Sequence, residues 1–238
     1  DNSDRIIEAT TTDMEGNFKR FEGGNNRIIP FLDSQSAIIR GLRWRTSKED
    51  MWRGAGVAIP VFSLRSEKSW GVGEFNDLKL MADWAAATGQ RFIQLLPIND
   101  TTTDGSWRDS YPYNCISVTA LHPIYINIPA IGPFPSAELQ QEYELGRASL
   151  NRYDSLEYEL VFAFKMRFLN AFFEAHWEAT SQSVEFRKFV SENREWLLPY
   201  GRYCAKRDGA KNQYFYQFVQ YHLSKQLSEA VEYAHSKG

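Results

Sequence analysis

The 238-residue sequence has only two cysteines, four histidines and no surplus of basic residues. Each shortage removes a class of function. Cys115 and Cys204 lie far apart without metal-like partners, so both read as reduced core thiols in a reducing, cytoplasmic setting. His122, His176, His222 and His235 are scattered, with no pair at metal-ligand spacing, and read as structural or exposed. Lys and Arg number 27 against 30 Asp and Glu, a formal net charge of −3. That balance lacks the basic patch that a nucleic acid or an anionic membrane surface demands. No apolar run approaches the roughly 18 residues of a membrane span, and no signal peptide opens the chain. Neither a metal nor a cofactor is expected.

What the chain does hold is aromatic. Phe, Tyr and Trp make up 15%, with 16 Phe, 12 Tyr and 7 Trp. Such content suits thick helical cores, and also a surface that stacks on flat ligands. The hydrophobic fraction of 43% and charged fraction of 24% are those of an ordinary globular protein. A chain of this length forms one large or two small domains, burying about 70–75% of its unfolded surface.

The organising stretch is 53–128. Gly54-Ala-Gly-Val-Ala-Ile59 is a short apolar run closed by Pro60, and Phe92-Ile-Gln-Leu-Leu96 is a second, closed by Pro97. Between them, 74–88 reads as an amphipathic helix with Phe75, Leu78, Met81, Ala82 and Ala85 on one face and Gly89 at its C-terminal cap. Strand, helix and strand of these lengths predict a right-handed βαβ unit with parallel strands. Working loops in such folds leave the C-terminal strand ends, here at 61–73 and 98–114. The second is dense in Asp, Arg, Trp and Tyr.

Three regions follow from the remaining pattern. Residues 1–50 contain a hairpin expected over 17–30, turning at Gly23-Gly24-Asn25-Asn26, and a polar linker around Trp44. Residues 51–135 carry the βαβ unit and a third extended piece at 117–128. Residues 136–238 are helical. A weakly amphipathic helix is expected at 137–150. A long one, opened by Asp154 and Glu157, should run to about Thr180, with Leu156, Leu160, Phe164, Phe168, Ala171, Phe172 and Ala175 inward. A helix capped by Ser183 should bury Phe186, Phe189 and Val190 and end near Pro199. The last, 213–236, should bury Phe215, Phe218, Leu223, Leu227, Ala230, Val231 and Ala234. Two parallel strands expose long edges, so further strands beyond Gly238 are expected to complete the sheet.

Five segments now fall in register with one family. These are the 54–64 run, Gly71-Val-Gly73, Leu95-Leu-Pro97, Asp109-Ser-Tyr-Pro-Tyr113 and Ala120-Leu-His-Pro-Ile-Tyr-Ile126. In order and spacing they resemble the amylomaltase family of 4-α-glucanotransferases, in the disproportionating-enzyme branch with N-terminal starch-binding modules. Phe21-Glu-Gly-Gly-Asn-Asn-Arg27 is similar to the closing segment of such a module, so 1–50 is expected to be the end of one plus a linker. The resemblance covers about 18–238. It implies an α/β fold, a partial (β/α)₈ TIM barrel of two strands with an inserted α-helical subdomain. It also implies transfer of α-1,4-linked maltooligosaccharide or glucan pieces with retention. That chemistry uses carboxylates about 5–5.5 Å apart, which in the family follow strands four, five and seven. None is carried over, so no catalytic residue is assigned in this chain. The resemblance implies that Ser110 and Tyr113 match the family's Asp-Ser-Pro-Tyr segment, which touches the donor glucan. Asp109 and Trp107 join them as substrate-binding candidates. Tyr111 is an insertion into that segment.

Other readings stand beside these. Asp100, Asp104 and Asp109 can be read as an acid/base set, or as turn caps that pair with Arg108. Gly71-Val-Gly73 can be read as a phosphate cradle, or as a tight turn. Trp107 and Tyr113 either face substrate or plug the barrel mouth. The chain as a whole can be part of a glucanotransferase, a glucan-binding module without catalysis, or a helical interaction protein.

Overall fold

The computed structural model describes residues 54–209 and 212–238, together with four short strands in the first 28 residues. The chain divides into two units, 1–53 and 54–238.

In the first unit, β1 (Ile6–Ile7) pairs antiparallel with β4 (Arg27–Ile28), and β2 (Thr11–Thr12) pairs antiparallel with β3 (Phe18–Arg20). The expected hairpin would have joined β3 to β4. Six residues separate those two strands, more than a tight two-residue turn uses, so the connection does not dictate the pairing. Each strand instead finds an upstream partner. The turn at 23–26 and the linker around Trp44 lie outside the described residues.

The second unit opens with the βαβ crossover. Strand β5 (Gly56–Ile59) and strand β6 (Phe92–Leu95) are parallel, in register from Gly56 opposite Phe92 to Ile59 opposite Leu95. Among the described residues this sheet has only these two strands. Between them runs α1 (Asp77–Ala87), which buries Leu78, Ala82 and Ala85 while Met81 is half-buried. Its start falls three residues later than the pattern suggested. The Asp77 carboxylate accepts from the Glu74 amide at 2.9 Å and from the Ser66 and Ser69 hydroxyls, and so folds the preceding turn onto the positive end of the helix. Gly89 sits just past the helix at φ 72°, a conformation natural to glycine.

The Gly71–Gly73 segment is a tight turn. Gly71 has φ 76°, and a β-carbon on Gly73 would stand 1.8 Å from the Val61 carbonyl oxygen. The Gly73 amide donates to Phe62 at 3.2 Å, so the close approach stitches the turn to the β5 exit. Trp70 between these stretches is fully buried, with Tyr143 and Phe168 at ring distances of 4.7 and 5.6 Å.

Four helices cover this unit: α2 (Ala137–Leu150), α3 (Tyr158–Gln182), α4 (Val184–Arg207) and α5 (Tyr214–His235). Three expectations need correction. Helix α3 begins at Tyr158 without an Asp154 cap, and its buried stripe is Tyr158, Val161, Lys165, Phe168, Leu169 and Phe172. Leu160 and Ala175 face outward because the packed face is rotated toward Val161 and Leu169. Helix α4 runs through Pro199, which is exposed. Burial of Leu197, Tyr200 and Cys204 outweighs the helix-interior proline cost of about 3 kcal/mol. In α5, Val231 is exposed, while Phe215, Phe218, Leu223 and Ala230 are buried as expected.

The third extended piece is not a strand. Only Leu121 makes a bridge, to Asn99, before a 3₁₀ turn at Pro123–Tyr125. Side chains occupy the backbone groups that a neighbouring strand would have taken. Gln220 accepts from the Leu121 amide at 2.8 Å and donates to its carbonyl at 2.7 Å. Gln226 does the same for Asn127 at 2.8 and 2.9 Å. Lys165 donates to the carbonyls of Ile124 and Ile126. Cys204 is buried, whereas Cys115 is exposed and so is not the core thiol expected. Among the described residues, no helix is long and apolar enough to cross a membrane.

Candidate functional site

The loop that leaves the C-terminal end of β6 returns on itself at its base. The Asp100 amide donates to Ala120 at 2.8 Å, the Ile116 amide to Asp100 at 2.8 Å and the His122 amide to Ile98 at 3.0 Å. The Asn99 side chain adds a bond to Val118. These bonds hold 98–100 against 116–122, and everything between projects from that neck.

The tip is organised around one buried carboxylate. Asp109 is 4% exposed. Its Oδ2 accepts from the amides of Thr103, Asp104 and Gly105 at 2.9, 3.1 and 2.7 Å. Its Oδ1 accepts from the Thr103 hydroxyl at 2.5 Å, and its carbonyl accepts from the Thr101 hydroxyl. A carboxylate taking so many donors fixes the turn that carries its neighbours. Asp104 is exposed, accepts from the Ser106 amide at 3.0 Å and pairs with Arg108 at 3.3 Å. Hydrogen bonding from Ser106 holds its carboxyl below the usual range. Asp100 is 1% exposed, accepting from the Thr102 amide at 3.0 Å and the Tyr200 hydroxyl at 2.6 Å. All three acids accept hydrogen bonds within turns, but only Asp104 pairs with Arg108, and Asp100 also accepts from the distant Tyr200.

From this base a 3₁₀ turn, Trp107–Ser110, presents aromatic rings to solvent. Trp107, Tyr111 and Tyr113 are 59%, 60% and 60% exposed. Tyr111 and Tyr113 stand 5.6 Å apart, their planes 48° from parallel. Trp107 meets Tyr158 edge-on at 6.5 Å, and its amide donates to Glu159 at 2.9 Å. The structure thus brings Trp107, Asp109, Ser110 and Tyr113 into one loop. It buries Asp109, half-buries Ser110 and exposes both rings. Neither ring is buried among the described residues.

Beneath the loop His122 is buried. Its Nδ1 accepts from the Ile124 amide at 3.1 Å, and its Nε2 lies 3.1 Å from the Tyr158 hydroxyl. Burial pushes its pKa down to about 4, against the opposing pull of Asp100 and Asp109. Burial, reinforced by Asp109 and Asp100, raises that of Tyr158. Among the described residues, no group of three metal-binding side chains comes together.

Sequence reasoning missed the deepest polar contacts. Lys165, 1% exposed, donates to Glu74 Oε1 at 2.6 Å, while Glu74 Oε2 accepts from Asn127 at 2.6 Å. Burial raises the Glu74 pKa and lowers that of Lys165, each opposed by the partner's charge. Tyr200, Gln220 and Gln226 went unremarked too. The available signal was a polar residue at a core-facing step of an apolar helix: Lys165 lies four residues from Val161 and three from Phe168.

The sequence model of the 4-alpha-glucanotransferase family matches residues 59–214. The chain belongs to that family. It is 39% identical over 220 residues to 4-alpha-glucanotransferase DPE2 of Oryza sativa subsp. japonica, a match spanning 80% of this chain and 23% of that protein. It is 29% identical over 244 residues to the 4-alpha-glucanotransferase of Chlamydia muridarum, covering 88% of this chain and 44% of that one. The chain thus spans less than half the length of these relatives. Among solved structures, the amylomaltase of Corynebacterium glutamicum superposes with a TM-score of 0.66 at 26% identity, over 78% of this chain and 29% of that one. The amylomaltase of Streptococcus agalactiae in complex with acarbose gives 0.64 at 19% identity, over 79% and 42%, and shows likeness of fold alone.

Proposed function

We propose that this chain is part of a 4-alpha-glucanotransferase that cleaves and re-forms α-1,4 bonds in maltooligosaccharides and glucans with retention. The family match over 59–214 carries this reading. Strands β5 and β6 are taken as the first two of a (β/α)₈ barrel, α2–α5 as a helical insertion between strands two and three, and 1–50 as the end of a starch-binding module with its linker. The two unpaired thiols suit a cytoplasmic setting.

Within this reading Trp107, Asp109, Ser110 and Tyr113 are substrate-binding residues with separate duties. A sugar ring offers an apolar C–H face and a rim of hydroxyls. Tyr113 and Trp107 supply exposed aromatic surface for the former, and Ser110 and the Tyr113 hydroxyl supply hydrogen bonds for the latter. Asp109, occupied by three amides and a hydroxyl, contributes to substrate binding by shaping the loop. No catalytic carboxylate is assigned here, and the reading places the retaining pair on later strands of the complete enzyme. Those strands are this chain's partners. A groove of about 330 Å³ between α1, β6 and the end of α5, lined by Leu78, Ala82, Leu95, Ala230 and Ala234 and also by Arg91 and Lys237, is where this reading would seat the next strand.

The test is disproportionation of labelled maltotetraose. The complete enzyme should yield both longer and shorter oligosaccharides, and the 238-residue chain alone neither. Binding without turnover by the complete protein would favour a glucan-binding module. Neither binding nor turnover would favour a helical interaction protein.

A further inference from the structure

The neck of the sugar-facing loop is gripped from outside the βαβ unit. Three side chains of α4 and α5 reach it. The Tyr200 hydroxyl donates to Asp100 Oδ2 at 2.6 Å. Gln220 takes both backbone groups of Leu121, directly across the neck, and its Nε2 lies 3.4 Å from the same Tyr200 oxygen. Arg207 donates to the Thr102 carbonyl, held in place by a two-point pair with Asp208 at 2.5 and 2.7 Å, and Asp208 accepts from Tyr216 at 2.8 Å. Asp100 and Leu121 stand on the two arms of the neck, whose amides and carbonyls bond each other. One continuous set of hydrogen bonds therefore joins α5 and the C-terminal part of α4 to both arms.

The burial of these groups distinguishes them from incidental surface contacts. Asp100 is 1%, Gln220 1% and Tyr200 8% exposed. An acid buried at that depth must be satisfied by a defined donor in a defined place. Asp100 satisfies the Thr102 amide with one carboxyl oxygen and the Tyr200 hydroxyl with the other. Thr102 is followed by Thr103, whose amide and hydroxyl both bind Asp109, and Asp109 carries the turn that displays Trp107 and Tyr113. The chain of contact from helix to ring is thus unbroken.

We infer that Tyr200, with Gln220 and Arg207, is a positioning residue through which the helical insertion sets the glucan-facing loop. The inference rests on the proposed function for its kinetic consequence and on geometry alone for the coupling. The insertion in this reading is not a passive cover. It fixes where the aromatic rings meet a bound glucan, while none of the three side chains touches the sugar.

The experiment uses the complete enzyme and maltotetraose. Tyr200→Phe keeps the ring and removes the bond donated to Asp100, together with the longer contact accepted from Gln220. It should speed hydrogen exchange at the amides of Asp100, Ile116 and His122 by about tenfold or more, the worth of a bond to a charged group, and leave exchange in α1 as it was. KM should rise by about tenfold, with kcat changed less, because the rings are displaced while the chemistry is not. Asp100→Asn, which still offers an acceptor, should fall between wild type and Asp100→Ala. Tyr200→Phe added to Asp100→Ala should then cost far less than Tyr200→Phe alone, since only the 3.4 Å contact with Gln220 remains to be lost. Unchanged exchange at the three amides in Tyr200→Phe overturns the coupling. Faster exchange with wild-type KM and kcat overturns the positioning role and leaves a structural bond. A wild-type enzyme that does not disproportionate maltotetraose overturns the proposed function instead, and the exchange arm still decides the coupling.

Discussion

A tyrosine 60% exposed at a loop tip adds little to the core, so its removal separates binding from folding. Stacking of the Tyr113 ring on a glucose unit is worth roughly 1–3 kcal/mol at about 25 cal/mol per Å². In the complete enzyme, Tyr113→Ala should lower kcat/KM for maltooligosaccharides by about ten- to a hundredfold. Tyr113→Phe should lose less, and thermal melting should stay near wild type for both. A large fall in melting temperature with normal turnover per molecule would make the ring structural. Lys165 lies at the opposite extreme of burial. Lys165→Met strands Glu74 without its cation and leaves two carbonyls without a donor. Denaturant unfolding should show a loss of about 3–5 kcal/mol, as when one partner of a buried pair is removed. The double substitution Glu74→Leu with Lys165→Met should recover part of that loss; a further drop would contradict the pairing argument.

At the scale of elements, the junction of α3 and α4 turns on one side chain. Ser183 donates to the Thr180 carbonyl at 2.8 Å and accepts from the Phe186 amide at 3.1 Å, closing one helix and opening the next. Ser183→Ala should cost about 1 kcal/mol, and Ser183→Asn, an equally good cap, much less. Circular dichroism melts of the three proteins check the order. Equal melting of Ser183→Ala and wild type would show that packing of Phe186 against Trp177 holds the corner by itself.

The whole molecule should be sensitive to acid. His122 and His222 are both held neutral by burial, at about 4 and about 3, against 6.5 in an exposed histidine. Between these values the unfolded chain binds protons that the folded chain does not, so stability rises with pH there and falls on acidification. The loss begins as pH drops through about 6.5 and is complete below the folded values. For His122 alone, the interval from 6.5 to about 4 corresponds to about 3 kcal/mol at about 1.36 kcal/mol per pH unit. His122→Gln should flatten the stability–pH curve between pH 4 and 6.5. A curve as steep as wild type would assign the acid sensitivity to other groups.

What the linear order of residues determined by itself was local. The apolar runs 54–59 and 92–96 with one amphipathic helix between them sufficed for a parallel βαβ unit, since strand burial and crossover length leave few alternatives. Gly71, Gly73 and Gly89 marked turns, Ser183 marked a cap, and the aromatic loop was legible because Trp107, Asp109, Ser110 and Tyr113 lie within seven consecutive residues. What tertiary structure decided depends on contacts between distant positions. Nothing near Pro199 reveals that packing across α4 will carry the helix through it. Nothing near 117–128 reveals that Gln220, Gln226 and Lys165, far along the chain, will take its backbone bonds and leave no strand to form. Strand β4 likewise pairs with β1 rather than with its neighbour. Propensity and periodicity act over a few residues, whereas the partner of a buried polar group is chosen by the assembled fold, where every such group must be satisfied at once.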